Sequence, residues 1–134
     1  MKVYFVFNIK NEFINLYQDN KLVLFNIFKS IYNMKNSDLE YASTLFNQLI
    51  DRIDSEKIDR DIFIKYHSYI PYSKHNKIHL INNLYKDEVS RMIIRNSYIR
   101  VELDNKKTSW FNILKKYSNN FFVCDFTNYD CFFL

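Results

Sequence analysis

The sequence predicts an α/β fold of the α+β kind: a small mixed β-sheet with helices packed on it, in a single domain over residues 1–134. Two observations carry this. Runs of β-branched and aromatic residues bracket the chain, Val3 to Ile9 at one end and Phe121 to Phe126 at the other. Between them lie stretches whose apolar residues recur at helical spacing, followed by a hairpin pattern, and such an order packs naturally as helices on a sheet. A chain of 134 residues suits one domain and can bury roughly two thirds of its unfolded surface. Its 48% hydrophobic content, with 19% aromatic, supplies the core.

Val3 to Ile9 is apolar at nearly every position, which predicts a strand buried on both faces. Asn11 offers an N-cap for a short helix to about Tyr17, on which Phe13 and Tyr17 share one stripe. Asp19-Asn20 reads as a turn. A second helix is expected from Lys21 to Tyr32, with Leu24, Phe25, Ile27, Phe28 and Ile31 at helical spacing. Ser37 and Glu40 form a capping-box pattern that opens a third helix to about Ile53 along the stripe Leu39, Ala42, Leu45, Phe46, Leu49 and Ile50.

From Asp54 to Lys86 the pattern supports only an irregular connection with one short helix. Ile58 to Tyr66 fits helix or strand, and Pro71 breaks the pattern after it. Met92 to Arg95 and Tyr98 to Leu103 flank Asn96-Ser97 and predict a β-hairpin, with Arg100 and Glu102 on a solvated face. Thr108 is placed to cap a helix from Ser109 to about Tyr117 through Trp110, Ile113 and Leu114, ended by Asn119-Asn120. Phe121 to Phe126 is the final strand expected, and Asp125 at its end is expected to cap or pair a neighbouring group.

Composition limits function. No run approaches the ~20 apolar residues of a membrane helix. The opening apolar run is followed by Lys10, Asn11 and Glu12 rather than a small-residue cleavage site, so the expected location is the cytoplasm. With no glycine in the chain, a Gly-rich phosphate loop or Gly-flanked nucleophile turn has no material. The net charge of +4 raises nucleic acid as a partner, but acidic and basic residues interleave, as from Asp51 to Asp61, where a phosphate-binding surface gathers its cations on one face.

His75 and His79 are four apart, yet they have two flanking lysines and no evident third ligand, and read as a solvated polar segment rather than a metal site. His67 has no nucleophile partner in sequence. Cys124 beside Asp125 reads as a buried strand cysteine, since a neighbouring carboxylate raises a thiol pKa. Cys124 and Cys131 are expected to be free. The aromatic load, 13 Phe and 11 Tyr, exceeds what a core of this size absorbs, and surface aromatics are favoured anchors at protein interfaces. Phe13 and Tyr17 are the candidate anchors, and their spacing is equally compatible with Phe13 packed on the sheet and Tyr17 alone in solvent.

Two stretches carry a family resemblance. Val3-Tyr4-Phe5-Val6-Phe7-Asn8-Ile9-Lys10-Asn11-Glu12-Phe13-Ile14-Asn15-Leu16-Tyr17, followed by Leu24-Phe25-Asn26-Ile27-Phe28, resembles the aromatic strand, Lys-x-Glu-Phe turn and two helices that open the SirA family, the sporulation inhibitors of replication. Trp110 to Tyr117 and Phe121 to Phe126 resemble that family's last helix and Asp-Phe strand. Together they cover about half the chain, and the absence of Gly departs from the family in its hairpin turn. The resemblance implies a regulatory protein that binds the N-terminal domain of the replication initiator DnaA and inhibits initiation. It implies aromatic contacts from the first helix, at Phe13 and Tyr17, and tips them toward an exposed pair. No catalysis, cofactor, metal, membrane or direct nucleic-acid contact is expected, and the chain is expected to act as a monomer. The alternatives from other classes are a nucleic-acid-binding module using the net charge and surface aromatics, and a small enzyme built on Cys124 or a histidine.

Overall fold

In a computed structural model, which describes residues 1–34 and 36–134, seven strands form one sheet in the order β2-β3-β4-β5-β1-β6-β7. The strands are β1 (Lys2–Asn8), β2 (Tyr72–His75), β3 (Ile78–Asn83), β4 (Glu88–Ile94), β5 (Ile99–Leu103), β6 (Phe121–Asp125) and β7 (Asp130–Phe133). The described helices are α1 (Asn11–Tyr17), α2 (Lys21–Tyr32), α3 (Leu39–Leu49), α4 (Ser55–Tyr66) and α5 (Trp110–Leu114). The α+β class is as expected. The sheet, expected to be mixed, is antiparallel at each of its six pairings. The reason is topological: the crossover through α5 brings β6 parallel to β5, but β1 lies between them and pairs antiparallel with both.

β1 is interior because both of its faces are apolar. Tyr4 and Val6 enter one core layer with Ile58 and Ile62 of α4 and Trp110, Ile113 and Leu114 of α5. Phe7 enters the other, with Leu24, Phe25 and Phe28 of α2 and Leu49 of α3. There Phe7 stacks on Phe28 with ring centroids 4.3 Å apart, an arrangement worth about 0.5–1.5 kcal/mol beyond the area it buries. β6 divides the same way, Phe121 and Val123 to the first layer, Phe122 and Cys124 to the second. β2 to β5 give their buried side chains to the first layer alone, and β4 accordingly alternates buried and half-buried along its length. On the opposite face Arg91 pairs with Glu102 at 3.2 Å and with Asp104 at 3.0 Å.

Several boundaries differ from expectation. Asn11 is the first helical residue rather than the cap, and its side-chain oxygen accepts from Asn120 Nδ2 instead. Ser37 lies in a 3₁₀ turn, Asn36–Asp38, and α3 begins at Leu39 without a side-chain cap. α3 ends at Leu49, not Ile53. Long-range pairing wins there: Ile50 bridges Ile9, the Asp51 amide donates to Asn8 O, and the Ile53 amide donates to Asn96 O. The segment from Asp54 to Lys86, expected to be mostly irregular, holds α4 and the β2–β3 hairpin. Asp54 Oδ1 caps α4 by accepting from the Lys57 amide, and Asn76 takes the positive φ of 57° at the hairpin turn that Gly often fills. α5 stops at Leu114, short of Tyr117, and β7 follows the strand expected to be last.

Candidate protein-interaction face

α1 is seven residues long and none of its side chains is fully buried. It is held at its start by backbone: the Lys10 amide donates to Leu49 O, and Lys10 O accepts from the amides of Phe13 and Ile14. The four-residue spacing brings Phe13 and Tyr17 together, their rings stacked at 6.5 Å between centroids and 20° between planes. Both are half-buried, resting with Ile14 against the Phe7–Phe25–Phe28 layer. The arrangement with Tyr17 alone in solvent is not the one found, and neither is a fully exposed pair. Each ring has one side on the core and one facing its partner, and is exposed over the remainder.

Three exposed apolar residues that sequence reasoning did not single out lie on the same two helices, among exposed polar neighbours such as Glu12, Asn15 and Lys21. Leu16 is 61% exposed, and at the start of α2 Leu22 is 61% and Val23 50% exposed. Nothing in the α1–α2 corner covers them. The signal was present in the sequence, as apolar residues off the buried stripe of each helix, but periodicity alone treats such residues as noise. Further along, Lys29 Nζ sits 3.3 Å from the centroid of the Tyr129 ring and donates to Phe126 O. The nearby Lys29 ammonium draws the exposed Tyr129 hydroxyl below its ordinary pKa.

The remaining sequence candidates do not join this face. His79, read as part of a solvated segment, is fully buried in β3, because β3 turns His79 and Ile81 inward and leaves Leu80 half-buried on the other face. Its Nε2 lies 2.6 Å from Asp59 Oδ1 and its Nδ1 2.7 Å from the Tyr72 hydroxyl. Burial lowers the His79 pKa despite the pull of Asp59, and burial with the Asp59 charge raises Tyr72 to about 12. Trp110 packs edge-on to both rings, and its Nε1 has no acceptor among the described residues. His75 is exposed at the hairpin turn, and His67 Nδ1 lies 2.8 Å from Ile64 O.

Cys124 and Cys131 are free and buried, cross-strand partners in β6 and β7, and burial raises both thiols. Asp125 does cap the strand's end: Oδ1 accepts from the amides of Thr127 and Asn128, and Oδ2 from Asn128 Nδ2 at 2.7 Å. Among the described residues no group of three or more His, Cys, Asp or Glu is placed to hold a metal ion, and no helix is long and apolar enough to cross a membrane.

A family model described as sporulation inhibitor of replication protein SirA matches residues 2–134. The chain belongs to the SirA family. The match spans the middle of the chain, where α4 and the β2–β3 hairpin lie, as well as the two ends that carried the resemblance. The family's description makes the chain a sporulation inhibitor of replication. No curated protein matches the sequence.

Proposed function

We propose that this SirA-family chain acts as a monomer in the cytoplasm by binding the N-terminal domain of DnaA with the α1–α2 corner, and so occludes a surface that DnaA needs in order to assemble at the origin. The observation that carries the reading is the stacked, half-buried Phe13–Tyr17 pair on α1, with Leu16 of the same helix and Leu22 and Val23 at the start of α2 exposed. A pair already fixed in one orientation by the core loses little rotamer freedom on binding, which favours aromatic anchors in a contact surface. Exposed leucine and valine beside it supply apolar area that a partner covers. Occlusion needs no cofactor and no reacting group, in keeping with the raised thiols and the hydrogen-bonded, buried His79.

The test is a titration of the full chain against the N-terminal domain of its host's DnaA, wild type beside Phe13→Ala/Tyr17→Ala. Binding by wild type that weakens about 100-fold in a folded double mutant, roughly 3 kcal/mol, supports both partner and face. Equal affinity in the double mutant removes these residues from the site, and no binding by wild type removes the partner.

A further inference from the structure

The interleaved charges of the sequence hide a tertiary grouping. Two grooves of about 550 and 350 Å³ adjoin on the side of the sheet that carries α4 and α5, and Lys86, Ser109 and Asn112 line both. Lys106 and Lys107 stand around the first groove and Lys116 around the second. These four lysines come from three separate segments of the chain. All are exposed, and none forms an ion pair among the described residues. They equal in number the whole net charge of +4.

The acidic groups nearby are largely engaged. Both Glu88 oxygens accept from Ser109, through its amide and hydroxyl, and Ser90 adds a third bond. Asp104 is held by Arg91, and exposed Asp87 shares a neighbouring groove with Lys106, Met1 and Lys2, leaving it the one exposed carboxylate beside the track without a bond among the described residues.

Aromatic rings accompany this track along its length. Half-buried Phe111 lines the first groove and half-buried Tyr66 and exposed Tyr69 the second, while Tyr85, adjacent to Lys86 in the chain, is fully exposed outside both. Cations spaced along a concave track, with the exposed Asn112 side chain and aromatic rings beside them, are recognition elements of single-stranded nucleic acid: ammonium groups neutralise phosphates and rings stack on unpaired bases. Reading the bases of a duplex needs an element that enters its groove, which a concave surface does not supply, whereas the bases of a single strand are open to stacking.

We infer that the α5 side of the sheet is a binding surface for single-stranded nucleic acid, which follows its phosphodiester backbone along Lys107, Lys106, Lys86 and Lys116 and stacks a base on Tyr85. The proposal departs from the expectation of no direct nucleic-acid contact. The surface lies across the sheet from α1, whose side chains rest on the other core layer. The inference therefore stands independently of the α1–α2 reading, and the two are compatible in one complex.

Fluorescence anisotropy of a labelled oligothymidylate with the full chain tests it. The expected result is binding at low salt whose log K falls against log salt with a slope of about −3, from four phosphates at about 0.7 each. Combined Lys86→Gln, Lys106→Gln, Lys107→Gln and Lys116→Gln substitution flattens that slope and weakens binding more than tenfold, and Tyr85→Ala weakens it about tenfold. All five positions are exposed, and circular dichroism verifies that the variants fold. The DnaA-domain titration of the lysine variant remains as in wild type. Absent binding at low salt, affinity unchanged by the lysine substitutions, duplex bound as tightly as single strand, or anionic phosphatidylserine vesicles bound in preference to the oligonucleotide overturns the inference.

Discussion

Tyr72 donates its hydroxyl to Nδ1 of His79 at 2.7 Å, while the Nε2–H of the same ring donates to Asp59 Oδ1 at 2.6 Å. This is the only arrangement that leaves a neutral imidazole satisfied at both nitrogens, because an ionised carboxylate accepts and does not donate. The chain of bonds ties the β2–β3 hairpin to α4.

His79→Ala removes both bonds, orphans the buried Tyr72 hydroxyl and opens space beneath Trp110. We expect a loss of about 2–4 kcal/mol in urea unfolding. Asp59→Ala is expected to cost about 1 kcal/mol, since the carboxylate lies at the rim, 15% exposed, where water can replace it. Equal costs for the two would show that the ring is not held as described.

The same ring sets a pH dependence. The folded pKa of His79 lies below the ordinary 6.5, with burial as the main cause. The unfolded chain therefore takes up the proton first. The contribution is fully present above about 6.5 and is lost as pH falls toward the folded value, at no more than about 1.4 kcal/mol per pH unit. Chemical denaturation at a series of pH values, wild type against His79→Leu, should show a shallower acid-side slope in the variant; parallel slopes would exclude His79 as the source.

Asp125 is 1% exposed and accepts three hydrogen bonds that close the β6–β7 turn. Asp125→Ala leaves the Thr127 and Asn128 amides without their acceptor, and Tyr129 beyond them holds a positive φ of 54°. We expect a loss of about 1–3 kcal/mol, with hydrogen exchange quickening first in β7. Uniform exchange across the sheet would place the effect elsewhere.

Cys124 is fully buried, and its thiol is held far above the usual range by burial first and Cys131 second. A thiol-specific reagent at neutral pH should modify it only at the rate of local or global opening, speeding in step with urea. Prompt reaction in the folded chain would reopen the reading of Cys124 as a reactive centre.

Features that residues dictate locally were legible. β1 and β6 are apolar on both faces and lie inside the sheet. Phe13 and Tyr17 at helical spacing meet in a stack, and Asp125 after an apolar run caps its strand. Each of these follows from a side chain's own chemistry or from the period of one element. Where that period misleads, only the tertiary structure decides. β3 presents Ile78 and Leu80 to one face and buries His79 on the other, because Tyr72 and Asp59 satisfy the ring from segments 7 and 20 residues away. α3 yields Ile50 to an extended bridge because Ile9, 41 positions earlier, offers it a partner. The lysines of the α5 grooves are scattered among acidic residues along the chain, and they come together because the β4–β5 hairpin and the crossover to β6 fold three segments onto one side of the sheet. Pairing across such distances depends on which surfaces remain once the local elements have formed, and no window of sequence contains that information.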